Sequence, residues 1–387
     1  MGILSSIVQR NFFKLCDEIK TGTLHIRSPE GERLKFGQGH PTAELIINDW
    51  NMLILIARRG DIGLGEAYVD GMWDSPDIET LLRVILANTS ISKSASRGSW
   101  TQNIKFQLMD RLIRRNSKRG SRRNIQAHYD VGNAFYRLWL DETMTYSSAI
   151  YDGTDQKMED AQTTKYARLN ALLPEHAESV LEIGCGWGGF AEHAAQSGRQ
   201  VTGLTISDEQ KAYATKRLGD SAEIRLQDYR DVSGKFDAIV SIEMVEAVGR
   251  EYWPSYFRKI KECLSDGGSA AIQAIIVEDD YFEDYRTQSD FIRQYTFPGG
   301  MLIPPIQIHT CAQTSGLKVG ELFRFGQDYA RTLREWLHRL NQSEDDIRQL
   351  GYSERFLRSW RYYLQFCAAG FSDAKKINVV QFSLEHA

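Results

Sequence analysis

The amino-acid sequence predicts an α/β protein in which a doubly wound, mostly parallel sheet is preceded by a smaller α+β domain. Three observations carry that expectation. From about residue 125 onward, short apolar runs alternate with stretches of helical length and pattern, the rhythm of a parallel sheet with helices on its faces. One of those runs, Val180-Leu181-Glu182-Ile183, opens directly onto Gly184-Cys185-Gly186-Trp187-Gly188-Gly189. The helical pattern from Phe190 to Ala195 follows, so the segment reads as strand, tight turn, helix. The 387 residues, finally, suffice for two domains with cores of their own.

Residues 1–90 are expected to form the smaller domain. Strands are expected at 23–27 and 43–47, and helices at 50–59 and 78–87, where apolar residues recur at three- and four-residue spacing. The glycines of Gly60-Asp61-Ile62-Gly63-Leu64-Gly65 suggest a turn or a helix start. Residues 91–123 read as a basic linker, with ten Lys/Arg against the single acid Asp110. Ile104, Phe106, Leu108, Met109, Leu112 and Ile113 can line one face of a helix within it. A basic amphipathic segment suits an anionic membrane surface, and a solvated linker helix is the plainer alternative. Residues 124–387 then carry the large sheet. Its strands are expected at 178–183, 200–205, 222–226, 236–242, 268–276, 318–324 and 377–383.

Composition excludes several classes. Hydrophobic residues at 42% and charged residues at 25% are those of an ordinary globular chain rather than a disordered one. A net charge of −4 gives the whole protein no attraction for nucleic acid. Cys16, Cys185, Cys263, Cys311 and Cys367 contain no C-x-x-C pair, which predicts a reduced, cytosolic chain without disulfides or a zinc site. No run approaches the roughly 18 apolar residues of a membrane span. The first residues lack the pattern of a secretory leader.

Gly184, Gly186 and Gly189 fit G-x-G-x-x-G, a spacing shared by NAD, FAD and S-adenosylmethionine sites. A dinucleotide site wants an acid about 20 residues on, for the ribose hydroxyls. The second strand instead ends Gly203-Leu204-Thr205-Ile206-Ser207, and Asp208 and Glu209 come later. Glu182, just before the loop, suits the amino-acid end of S-adenosylmethionine. Gln227-Asp228-Tyr229 follows the third strand, where an acid can accept from the adenine amino group and a ring can stack on it. A lone Asp there can equally be a helix cap. These residues favour S-adenosylmethionine and leave a nicotinamide oxidoreductase as the distant alternative.

The segment Gln126-Ala127-His128-Tyr129-Asp130-Val131-Gly132-Asn133-Ala134-Phe135-Tyr136 resembles a signature of the cyclopropane-fatty-acyl-phospholipid synthases. So do Met144-Thr145-Tyr146-Ser147, the stretch from Glu182 to Gly189, Gln227-Asp228-Tyr229-Arg230 and Phe297-Pro298-Gly299-Gly300. The resemblance implies the seven-stranded, Rossmann-like methyltransferase fold, with an N-terminal lipid-binding or accessory domain. It implies methyl transfer from S-adenosylmethionine to the cis double bond of a phospholipid acyl chain, followed by proton loss and ring closure. By position, Gly184, Gly186, Thr205, Gln210, Asp228 and Tyr229 hold the cofactor, and Tyr146 and Ser147 close over it. Glu246 and Tyr329 match the family's active centre. That centre usually binds bicarbonate as the base, partly through a Cys and a His. Here those positions are Ser148 and Gln273, so bicarbonate and a retuned site both stay open. Peripheral contact with the inner face of an anionic membrane is expected, and a homodimer stays open.

The chemistry agrees with this reading. An alkene is a poor nucleophile, so positioning and exclusion of water must dominate. Aromatic faces stabilise the cation that methyl transfer leaves on the chain. Tyr281, Phe282, Tyr285, Phe291, Tyr295, Phe297, Phe325 and Tyr329 supply rings, of which Tyr329 is singled out and most of the others suit plain core packing. Glu246 can take the departing proton or orient an anion that does. It can also be a helix N-terminal acid. His128 reads as a scaffold residue. Loss of the proton from the added carbon closes a ring; loss from a neighbouring carbon leaves a methyl- or methylene-branched chain.

Overall fold

The computed structural model describes residues 3–88 and 131–387. Alternating burial along β1 (Gly22–Arg27) and β3 (Thr42–Ile47) puts Leu24, Ile26, Leu45 and Ile47 into a small core. The sheet runs β2-β1-β3-β4, with β2 at Arg33–Gln38 and β4 at Trp73–Asp74. The sequence reading missed β2, whose Leu34 and Phe36 are only half-buried between Arg33 and Lys35. Helices α1 (Ile3–Asp17), α2 (Met52–Arg59) and α4 (Ile78–Ala87) join this domain. The glycine-rich segment, expected as a turn or a helix start, is the helix α3 (Asp61–Val69), with Gly60 at its N-terminal cap. Its glycines permit close packing: a Cβ at Gly63 would stand 2.2 Å from the Leu55 carbonyl oxygen, and one at Gly65 would stand 2.3 Å from Phe291 Cδ2.

The large sheet is ordered β10-β12-β9-β8-β5-β6-β7. Its parallel body comprises β5 (Ser179–Ile183), β6 (Gln200–Thr205), β7 (Ala222–Leu226), β8 (Phe236–Ile242) and β9 (Leu264–Val277). The strand β12 (Ile377–His386) returns antiparallel to β9. Where a single strand was expected at 318–324, two short ones pair with β12, β10 (Leu317–Val319) and β11 (Phe323–Arg324), making eight. The break falls at Gly320, where a side chain would meet Ser383 Oγ at 2.4 Å.

Two C-terminal helices, Gly326–Gln342 and Glu354–Phe371, pack on one another, and the second also packs on α3 and α4. Arg334 forms a two-pronged ion pair with Glu79 at 2.7 and 2.5 Å. Tyr362 lies between Tyr68 and Phe291, at ring distances of 5.8 and 4.8 Å. The small domain is thereby fastened to the helices that cover the large sheet. The basic stretch 91–123 and His128 lie outside the described residues. Among the described residues no helix is long and apolar enough to cross a membrane.

Candidate functional site at the strand ends

The glycine loop leaves β5 where a parallel sheet places its ligands, beyond the carboxyl ends of the strands. Gly184 has φ +81°, in the left-handed region, and the N–H groups of Gly184 and Cys185 both donate to the Leu204 carbonyl at 3.0 and 2.8 Å. Gly189 opens the helix Gly189–Gln196, and a Cβ there would stand 2.4 Å from Tyr166 Oη. That hydroxyl is 2.6 Å from Thr145 Oγ1, which ties the loop to the Met144–Ser147 segment. Trp187 Nε1 donates to Asn133 Oδ1 at 2.7 Å, a bond between two of the sequence motifs.

The loop borders a cavity of about 370 Å³. Its wall includes Tyr146, Ser147, Glu182, Gly184, Gly186, Gly189, Thr205, Gln210, Asp228 and Tyr229, together with Glu246 and Tyr329. Thr205 Oγ1 donates to Gln210 Oε1 at 2.8 Å, while Ser207 caps the helix Asp208–Leu218 by accepting from the Gln210 N–H. Asp228 accepts from the Arg230 N–H at 3.0 Å and pairs with the Arg230 guanidinium at 2.6 Å. Tyr229 is packed edge-on against Tyr256. Glu182 is 2% exposed, and its Oε2 has no hydrogen-bond partner among the described residues. Burial pushes its carboxyl up to about 8, against the pull of Lys165.

Ser148 and Gln273 are absent from the cavity wall, and both are fully buried behind it. The Ser148 hydroxyl donates to the Ala149 carbonyl at 3.0 Å. Its backbone N–H donates to Glu243 Oε1 at 2.8 Å, and Gln273 Nε2 donates to the same oxygen at 2.8 Å. Tyr329 donates from its hydroxyl to Glu243 Oε2 at 3.1 Å. Glu243, which the sequence reading passed over, is thus the centre of the cluster. It follows β8 directly, and the rule that ligands lie beyond strand ends was the signal available for it.

Glu243 and Glu246 both face the cavity, so each keeps some accessible surface although it lies deep in the protein. Burial raises the Glu243 carboxyl, while Ser148, Gln273, Lys165 and Tyr329 pull it back. Burial and then the Glu243 charge push Glu246 up to about 8. Glu246 Oε1 accepts from the Ile275 N–H, and its Oε2 has no hydrogen-bond partner among the described residues. Lys165, also unforeseen, has no exposed surface and donates to Ser147 Oγ at 2.7 Å. Burial brings its ammonium down to about 7, against Glu243, Asp141 and Glu182. Nothing in its local sequence separates it from a solvated helix lysine.

The aromatic segment divides. Tyr285, Phe297 and Tyr329 line the cavity. Phe282, Phe291 and Phe325 are core residues, and Tyr295 is exposed and bonded to Glu66. Tyr329 packs at 4.7 Å from Phe371, another wall residue.

A family model described as mycolic acid cyclopropane synthetase matches residues 116–382. The tuberculostearic acid methyltransferase of Mycobacterium tuberculosis is 36% identical over 85% of this chain and 80% of its own. The cyclopropane-fatty-acyl-phospholipid synthase of Escherichia coli K12 is 32% identical over 86% of this chain and 85% of its own. Among solved structures, a mycolic acid cyclopropane synthase in complex with SAH and CTAB superposes with a TM-score of 0.63. It is 27% identical, and the match covers 68% of this chain and 97% of that one.

Proposed function

The chain belongs to the mycolic acid cyclopropane synthetase family and is an S-adenosylmethionine-dependent methyltransferase; from that premise we propose that it acts on the cis double bond of an unsaturated phospholipid acyl chain and makes a cyclopropane. The assignment displaces the nicotinamide oxidoreductase alternative. The observation that carries the substrate reading is one cavity whose wall joins the glycine cradle to Tyr285, Phe297, Met301, Leu302 and Phe371. A polar cradle continuous with an apolar lining suits a polar methyl donor and a hydrocarbon acceptor.

The residues fit the donor. Gly186 borders the cavity with open space where a Cβ would stand, and the partnerless Glu182 Oε2 suits a cationic amino group. Asp228 and Tyr229 stand on the same wall, where an acid and a ring suit an adenine. S-Adenosylmethionine, when bound, supplies a methyl group activated by a positively charged sulfur. The chain's own residues then position and shield. Tyr146 donates to the Tyr363 hydroxyl at 2.9 Å, joining the segment over the cofactor to the C-terminal helix and restricting water. The rings of Tyr329 and Phe371, both on the cavity wall, suit a positive charge on the acyl chain. Glu246, raised to about 8, keeps its proton near neutral pH and serves to orient rather than to accept.

The relative named as a tuberculostearic acid methyltransferase supports a second reading, in which a methyl or methylene branch forms without ring closure. The lipid substrate, together with the basic stretch 91–123, supports peripheral attachment to the inner face of an anionic membrane. The deciding experiment incubates the protein with labelled S-adenosylmethionine and vesicles of unsaturated phospholipid, then releases the acyl chains. Proton spectra and fragmentation should show a cyclopropane. Olefinic methylene or branched methyl signals would select the second reading, and unlabelled lipid would end both.

A further inference from the structure

We propose that the Glu243 carboxylate occupies the anion position of the centre and is its built-in base, so that the enzyme uses no bicarbonate. The inference rests on the methyl-transfer reading above and deepens it. The donors available at this position converge on one side chain: the Ser148 N–H and Gln273 Nε2 on Oε1, each at 2.8 Å, and the Tyr329 hydroxyl on Oε2 at 3.1 Å. Gln273 is itself held in orientation, because its Oε1 accepts from Gln381 Nε2 at 2.9 Å. Bicarbonate and a side-chain carboxylate present the same planar O–C–O pair. Bicarbonate therefore does not fit here: its donors are taken, and it would meet a like charge at contact distance.

Two further features set Glu243 apart. Its φ is +49°, a conformation that costs a non-glycine residue energy and that gathers at functional positions when the surroundings enforce it. Its backbone N–H donates to the Gln273 carbonyl at 2.8 Å, which anchors the strained residue to the adjacent strand. The charged and titratable groups acting on it are Lys165 from the helix Met158–Ala171, Glu246 from its own strand exit and Tyr329 from the helix Gly326–Gln342. Lys165 pulls the Glu243 carboxyl back against its burial, whereas burial and then the Glu243 charge push Glu246 up, so the two neighbouring carboxyls are driven apart.

The step balances. The alkene π pair forms the new carbon–carbon bond as the carbon–sulfur bond breaks with its electrons onto sulfur. Glu243 then takes a proton from the added carbon, whose C–H pair closes the ring, or from a neighbouring chain carbon, whose pair forms a new double bond. The protonated carboxyl returns its proton to solvent after product leaves.

The test compares wild type, Glu243→Gln and Glu243→Ala, with S-adenosylhomocysteine affinity by calorimetry as the check on folding. Wild type should turn over equally in carbon-dioxide-free buffer and in added bicarbonate, and labelled bicarbonate should show no exchange broadening with it. Glu243→Gln should keep S-adenosylhomocysteine affinity within about twofold and lose about 10²- to 10⁴-fold in kcat, the range of a lost general base. Glu243→Ala leaves the three donors around a hole, so formate or bicarbonate should bind there and restore part of the rate. A wild-type rate that collapses without bicarbonate, broadening of labelled bicarbonate by wild type, or an unimpaired Glu243→Gln each overturns the proposal. Wild type that labels no lipid refutes the methyl-transfer reading instead, and the bicarbonate-binding measurement still decides whether the anion position is filled.

Discussion

Tyr329→Phe removes one oxygen atom from the centre and should disturb little else. The ring stays packed between Phe371 at 4.7 Å and Trp336 at 6.0 Å, so the cavity wall keeps its shape. What is lost is a donor 3.1 Å from Glu243 Oε2. A hydrogen bond to a charged group contributes about 1.5–3 kcal/mol. At about 1.4 kcal/mol per factor of ten, its loss predicts a fall in kcat of about 10- to 150-fold. The hydroxyl also lowers the Glu243 carboxyl, so its removal lets that carboxyl climb further above the ordinary range. The acid limb of the kcat profile, where the base must be deprotonated, should therefore move to higher pH. S-Adenosylhomocysteine affinity should change less than about twofold, because the oxygen lost does not belong to the glycine cradle. The assay is label transfer into unsaturated phospholipid across a pH series, with calorimetry beside it. An unchanged kcat with an unmoved acid limb would refute the reasoning, as would an affinity loss equal to the loss in kcat.

Gly189→Ala should displace the Tyr166 ring, break its 2.6 Å contact with Thr145 and lower the melting temperature, since overpacking costs about 1–3 kcal/mol. Free Glu182 holds its proton up to about pH 8 and a cationic ligand favours the carboxylate, so S-adenosylmethionine binding should release a proton and tighten as pH rises towards 8. Calorimetry in buffers of different ionisation enthalpy measures this, and Glu182→Gln should flatten the slope. Folded Glu246 keeps its proton to about 8 while the unfolded chain loses it near the ordinary glutamate value of about 4.3, so wild type loses stability as pH rises through that window. Glu246→Gln should therefore raise the melting temperature more at pH 8 than at pH 5. Neutralising Arg114, Arg115, Arg122 and Arg123 should weaken sedimentation with anionic vesicles at low salt, and unchanged binding would leave that stretch a linker.

The small domain shows where local pattern runs out. Its strands β1 and β3 announce themselves by alternation, whereas β2 mixes half-buried Leu34 and Phe36 with exposed Arg33 and Lys35 and leaves no such mark. Gly63 and Gly65 leave a turn and a helix start equally open, because the contacts that require them, Leu55 and Phe291, lie elsewhere in the chain. The split of the edge strand at Gly320 depends in the same way on Ser383, far along the sequence.

The sequence by itself determined the parallel sheet, the glycine loop, the acid and aromatic after the third strand and the family. Periodicity, glycine spacing and short motifs are local properties, and a chain carries them before it folds. Only the tertiary structure decided on which carboxylate the donors converge. Glu243 and Glu246 are three residues apart and chemically alike. The donors that separate them come from Ser148, Gln273 and Tyr329, which lie 95, 30 and 86 residues away. A carboxylate's protonation and reach are set by the groups around it, and those groups become neighbours only when the strands and the C-terminal helices have packed.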